Sequence, residues 1–188
     1  MAIGTGLRQG EILGLSWADV DLDAATVTVT HALQRVDGRL VLVEPKSRTS
    51  RRVVPLPAFA IDALQAQRRR QRHDRLLAGS RWQPDERHLV FTTTIGTPLD
   101  GIAVTRRFQA VLRRAGLPHQ RFHDLRHAYA SLLLARGVAA RVVMETLGHS
   151  QIALTLNTYS HVMPALARAA ADEMDAVLAP RSTDTLTG

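Results

Sequence analysis

Four short segments hold residue types that could act together on a phosphate group: Thr5-Gly6-Leu7-Arg8-Gln9-Gly10-Glu11, Lys46, His123-Asp124-Leu125-Arg126-His127, and Leu147-Gly148-His149 with Tyr159 ten residues beyond His149. Attack on the phosphorus of a phosphodiester builds negative charge on the non-bridging oxygens. A guanidinium suits that charge, because its planar donor fork bonds phosphate oxygens bidentately and keeps its proton. Arg8 and Arg126 are of the right type. A departing alkoxide needs a proton, which an ammonium can give and a guanidinium cannot. Of the 24 Lys and Arg residues in the chain, Lys46 is the single lysine. His123 and Arg126 lie three residues apart in a helical pattern, so their side chains share a face. A phenol with a pKa of about 10 becomes a nucleophile only where positive neighbours favour its anion.

Taken in order, these segments resemble the tyrosine recombinase (phage integrase) family. The resemblance runs from Thr5 to about Val162 and includes Leu15-Ser16-Trp17, Val54-Pro55-Leu56 and Tyr159-Ser160-His161-Val162. It implies a catalytic set of Arg8, Lys46, His123, Arg126, His149 and Tyr159. Arg8 and Arg126 would clamp the phosphate, and Lys46 would protonate the leaving 5′ oxygen. His123 would accept or relay the nucleophile's proton, while His149 would bond a phosphate oxygen or the leaving group. Tyr159 would attack, giving a 3′-phosphotyrosyl link and a free 5′ hydroxyl, and a 5′ hydroxyl of another strand would reverse the step. The covalent link keeps the bond energy, so the resemblance implies no cofactor, neither ATP nor a metal. The partners it implies are double-stranded DNA and further protomers on paired sites, in a cytoplasmic, nucleoid-associated bacterial protein. Arg48, Arg51 and Arg52, near the Lys46 hairpin, are candidate DNA contacts.

These residues must be positioned by helices and one small sheet. Thr5 reads as the N-cap of a helix carrying Leu7, Ile12, Leu13 and Leu15 and ending near Trp17. Thr26–Thr30, Arg39–Val43 and Arg52–Pro55 read as three antiparallel strands, the first two joined at Asp37-Gly38 and the last two at Lys46–Ser50. Pro57 opens a helix to about Leu77 with a basic stretch from Arg68 to Arg75. Leu89–Phe91 is a short extended piece. Helices follow at about Ile102–Ala115, His123–Ala135, Ala139–Leu147, Ile152–Tyr159 and Pro164–Leu178, with Gly116, Gly137 and Gly148 at expected breaks. The predicted fold class is α+β and mainly helical, with a small three-stranded antiparallel sheet near the N-terminus, the fold that the resemblance also implies. Residues 1–178 are read as one catalytic domain without the N-terminal core-binding domain of the family, and 179–188 as a disordered tail.

Composition fits this picture. The chain has 188 residues, a formal charge of +7 and no cysteine, which excludes disulfides, thiolate zinc sites and a cysteine nucleophile. A basic surface points first to polyanions. With aromatics at 4%, the core must come from Leu, Val, Ile and Ala. Three alternatives stand beside the family reading. His123 and His127, four apart, mimic a zinc helix, with His149 or His161 as a third ligand. A tyrosine topoisomerase would share the chemistry but act on one site. A truncated remnant would bind DNA without cutting it. The C-terminal helix, with apolar Leu166, Ala170, Met174, Val177 and Leu178, can dock on a neighbouring protomer or fold back on its own domain.

Overall fold

The computed structural model describes residues 1–44, 51–83, 86–148 and 163–178. Two short helices come first, α1 (Ala2–Thr5) and α2 (Gln9–Leu13). Thr5 therefore does not cap the helix that follows it. It closes α1, where its hydroxyl donates to the Met1 carbonyl at 3.0 Å, and Gly6 ends the helix in the left-handed region at φ +63°. The chain restarts at Arg8, an extended residue whose backbone N–H is taken by the Glu11 carboxylate at 2.8 Å. This is the reciprocal half of a capping box, so a carboxylate three residues ahead, not Thr5, sets the start of α2.

Five strands follow: β1 (Val20–Asp21), β2 (Thr26–Val29), β3 (Ala32–Val36), β4 (Arg39–Val43) and β5 (Arg52–Pro55). The three-stranded antiparallel sheet is present, but its order is β1-β2-β5, while β3 and β4 form a separate hairpin. The expected first strand is present but ends at Val29, and a strand absent from the sequence reading, Ala32–Val36, follows it. Thr30 turns its hydroxyl to Asp19 Oδ1 at 2.8 Å, which takes the chain out of the sheet, and a new strand begins at Ala32. The Asp37-Gly38 turn is as the sequence predicts, with both residues at positive φ (47° and 78°), the twist that suits a two-residue hairpin loop. It joins β3 to β4, with Val36 opposite Arg39. In the sheet, Val27 lies opposite Val54 and both are fully buried, so the alternation of β2 places valines inward and threonines outward. The expected connection Lys46–Ser50 lies outside the described residues.

Helix α3 (Ala58–Ala78) covers the sheet through Ala60 and Leu64, both fully buried. The Leu89-Val90 segment is stitched to the end of α2, Val90 N–H donating to the Leu15 carbonyl and Trp17 N–H to that of His88. These parts share one core of Leu7, Ile12, Leu15, Val27, Val29, Val54, Leu56, Leu64 and Val90. Helices α4 (Gly101–Arg114), α5 (Asp124–Ala135), α6 (Ala140–Leu147) and α7 (Met163–Leu178) complete the described fold. Asp100 caps α4 by accepting from Ile102 N–H, and Gly116, Gly137 and Gly148 take positive φ at the expected breaks. A second core joins Ala130 and Leu134 of α5 to Val143 and Leu147 of α6. Its members recur at helical spacing, and burying two leucines and a valine contributes roughly 1.5–3 kcal/mol apiece. On α7, Ala170, Met174, Val177 and Leu178 are exposed; the side chain of Leu166 is outside the description, as are the expected Ile152–Tyr159 helix and residues 179–188. Among the described residues no helix is long and apolar enough to cross a membrane.

Candidate active site

The loop between α1 and α2, the first turn of α5 and the end of α6 meet at one place, and Arg126 is what joins them. Its side chain rises from α5 into the interior, where the residue is only 3% exposed. Nη1 donates to the Gly6 carbonyl and Nη2 to the Leu147 carbonyl, both at 2.6 Å. A lone arginine buried that deeply would be costly. Here the two carbonyls that it bonds belong to helix ends, which lack intrahelical partners. The guanidinium therefore satisfies both and pins together segments that the sequence holds 141 residues apart at most, between Gly6 and Leu147. The junction admits no bulk. A Cβ on Gly6 would stand 2.6 Å from Tyr129 Cδ1 and 2.7 Å from Leu147 Cδ2.

A second cluster sits beside the first. Glu11, 6% exposed, receives Arg52 Nη1 at 3.1 Å and Nη2 at 2.9 Å, and Arg8 Nη1 at 2.9 Å. Arg52 also sends Nε to the Thr146 carbonyl at 2.6 Å. Burial raises the Glu11 carboxyl, but the hydrogen bonds and charges of Arg52 and Arg8 outweigh it and hold the group below the usual carboxylate range. The side chain of Arg52 is 7% exposed. A candidate DNA contact in the sequence, it turns its guanidinium inward, to Glu11 and to the end of α6. Gly148 lies against it: a Cβ there would be 2.9 Å from Arg52 Nη1. Arg8, by contrast, keeps 42% of its side chain exposed and presents positive charge outward. Arg51 is exposed, and Arg48 lies outside the described residues.

His123 stands at the N-cap position of α5, its ring edge-on to His127 with centroids 4.9 Å apart. Burial first, then the charges of His127, Arg126 and Arg8, push its pKa below the ordinary 6.5. Three of the six expected catalytic residues, Arg8, His123 and Arg126, thus share one electrostatic neighbourhood. A cavity of about 370 Å³ opens beside His123, lined also by Gln9, Thr105, Gln109 and Arg121. Lys46, His149 and Tyr159 lie outside the described residues, although the description reaches Gly148, next to His149. Tyr129 is half-buried, and burial pushes its phenol up despite a hydrogen bond with Thr146.

Sequence reasoning missed two working parts. Glu11 stood in the quoted segment without a role, though a carboxylate three residues after an arginine at a helix start is a recognisable signal. Gln9 had no signal. Its amide reaches the Gly101 carbonyl at 3.1 Å and the Thr105 hydroxyl at 2.9 Å, tying α2 to α4 through a contact 92 residues away in sequence.

Comparison with known proteins gives a consistent answer. Residues 1–165 match the profile of the phage integrase family. A XerC-like tyrosine recombinase of Caldanaerobacter subterraneus subsp. tengcongensis is 41% identical over 174 residues, covering 87% of this chain and 44% of that protein. A tyrosine recombinase XerC of Xylella fastidiosa is 33% identical over 159 residues, covering 84% and 45%. Among solved structures, the Tn1549 transposon integrase in complex with transposon right end DNA superposes with a TM-score of 0.77 at 26% identity, over 92% of this chain and 56% of that one. The catalytic domain of bacteriophage HP1 integrase has the same fold, with a TM-score of 0.53 at 23% identity, over 91% of this chain and 76% of that one. The chain spans about half the length of the curated relatives it matches.

Proposed function

The chain belongs to the phage integrase family of tyrosine recombinases, and on that footing we propose that it is a DNA strand-cleaving and rejoining catalytic domain acting through Tyr159. The phenolate oxygen of Tyr159 attacks the scissile phosphorus and the P–O5′ bond breaks. The 5′ oxygen leaves with a proton from Lys46, and a 3′-phosphotyrosyl link remains. A 5′ hydroxyl of a second strand attacks that link, expels the tyrosine and closes the new phosphodiester. Arg8 and Arg126 hold the non-bridging oxygens, His123 takes the phenol proton, and His149 bonds a phosphate oxygen or the leaving group. The partner is double-stranded DNA, and exchange between paired sites takes place in an assembly of protomers.

The observation that supports this most is the position of Arg126. It bonds the carbonyls of Gly6 and Leu147, so the segments leading to Arg8 and to His149 converge on the helix that carries His123. A phosphate at that junction would meet an exposed arginine and a histidine held neutral near pH 7, the state in which imidazole accepts a proton. The relatives' names favour recombination over the metal-hydrolase alternative. A suicide duplex nicked near the cleavage site tests the proposal. The wild-type chain is expected to accumulate a covalent protein–DNA adduct, and Tyr159→Phe none. An adduct of equal yield in Tyr159→Phe would end the assignment.

A further inference from the structure

On the face of the fold built by α3, Trp17, Arg68, Gln71, Arg72, Arg75, Trp82 and His88 enclose an open cavity of about 240 Å³, completed by Leu89, Thr92 and Gly96. It shares no residue with the Arg126 junction. Its arginines lie roughly 15–25 Å along α3 from the helix start, the end whose Phe59 ring packs against Gly4. We propose that this cavity is a second nucleic-acid site, which takes one unpaired nucleotide of a strand, its base against the tryptophans and its phosphates on Arg72 and Arg75.

The chemistry of the lining supports this choice. Arg68, Arg72 and Arg75 follow one another at helical spacing, so their guanidinium groups form a stripe along one face. Among the described residues neither Arg72 nor Arg75 makes an ion pair, and no carboxylate lines the cavity. The aromatic half is held in place. Trp17 donates its indole N–H to Gln71 Oε1 at 2.7 Å, and Arg68 stands 5.5 Å over its ring, a cation–π arrangement. Gln71 in turn donates to the Leu89 carbonyl and the Thr92 hydroxyl. Trp82 lies so close over Gly96 that a Cβ there would be 2.8 Å from the ring. His88 lines the cavity at a positive φ of 53°, a conformation that costs a non-glycine residue energy and is often kept at binding sites. Fixed indole rings beside unneutralised guanidinium groups are what strand-binding surfaces use, stacking bases on one and phosphates on the other. A duplex hides its base faces, and a cavity of this size has room for one exposed nucleotide, not for a paired helix.

The chain supplies its own reporter, because Trp17 and Trp82 are its only tryptophans. The full chain is titrated with oligothymidylate of about eight residues, thymidine monophosphate, inorganic phosphate and a blunt duplex, following tryptophan fluorescence. Saturable quenching by the oligonucleotide is expected, with weaker quenching by the mononucleotide. Arg72→Glu/Arg75→Glu, both exposed positions, should weaken the oligonucleotide at least tenfold with the melting temperature unchanged. Quenching by phosphate as strong as by the mononucleotide, quenching by duplex alone, or an oligonucleotide affinity untouched by the double substitution would each overturn the proposal. Adduct formation through Tyr159 is a separate readout, so failure of either assignment leaves the other standing.

Discussion

Glu11→Ala and Arg8→Ala remove two ends of one ionic cluster, yet burial makes their expected costs very different. Glu11 and Arg52 are each 7% exposed at the side chain. Removing the carboxylate strands two donors of Arg52, as well as the backbone N–H of Arg8 that begins α2. Breaking a buried pair from one side costs about 3–5 kcal/mol, because the remaining charge stays desolvated. Arg8 is 42% exposed, and water replaces what it loses, so Arg8→Ala should cost at most about 1 kcal/mol. For a chain of this length each kcal/mol lowers the melting temperature by about 2–4 °C. Calorimetry at pH 7 should therefore find Glu11→Ala lower by about 10 °C and Arg8→Ala by no more than about 4 °C. In the trapping assay the order should reverse in meaning: Arg8→Ala, well folded, should lose adduct formation by at least about 100-fold, the usual cost of an oxyanion-stabilising donor. Melting temperatures within about 2 °C of each other would refute the division of labour between a buried scaffold and an exposed clamp.

Other expectations follow from the same geometry. Gly6→Ala places a methyl within 2.7 Å of both Tyr129 and Leu147 at φ +63°; thermal unfolding should show a loss above about 2 kcal/mol, beyond the 1–2 kcal/mol of left-handed backbone alone. Because the pKa of His123 is lowered from 6.5 in the folded chain, it is neutral at pH 7, and acid must charge it. Cleavage rate should fall as pH drops through the lowered pKa, beneath the ordinary 6.5, and His123→Asn should flatten this limb; a limb that persists unchanged in the variant would remove His123 from the proton path. Glu11 behaves oppositely in stability terms. Its folded pKa lies below the ordinary 4.5, so its contribution is complete above that value and is lost as pH falls through the lower, folded one. Glu11→Gln should erase that part of the acid-unfolding curve. Binding to duplex DNA should be weak and fall steeply between low and moderate salt, as phosphate-dominated contacts do; a titration with no salt slope would contradict it.

The sequence made the helices of the second half legible because their boundaries carry strong local signals. Gly116, Gly137 and Gly148 mark ends, and the Ala130, Leu134, Val143 and Leu147 pattern marks buried faces. Strand pairing was less legible. Nothing local in Thr26–Thr30 announces that Thr30 will bond Asp19 and release the chain from the sheet, since that bond spans 11 residues and depends on the fold. The chemical types of the site were readable from motif order, but not the fate of each arginine. Arg8 and Arg52 look equally basic in sequence. One is exposed and the other buried only because Glu11 sits between them and the Thr146 carbonyl closes behind Arg52.

That distinction bears on how a phosphate site can be both basic and stable. Guanidinium groups packed side by side repel, and the repulsion grows as water is excluded. Here one buried carboxylate serves two arginines, so the Arg8–Glu11–Arg52 cluster carries a single net positive charge, and the exposure of Arg8 places that charge where a ligand can reach it. Arg126 gives donors to backbone carbonyls at two helix ends. The consequence is a site whose stability depends on the groups turned inward and whose affinity depends on those turned outward. Replacing Glu11 and Arg52 together by Leu and Met, an apolar pair of similar size, should therefore restore part of the stability lost in Glu11→Ala. The recovery should be incomplete by about 1–3 kcal/mol, the cost of the Thr146 carbonyl left without its donor. If the double variant proves no more stable than Glu11→Ala, the stranded charge of Arg52 is not what makes that single substitution costly.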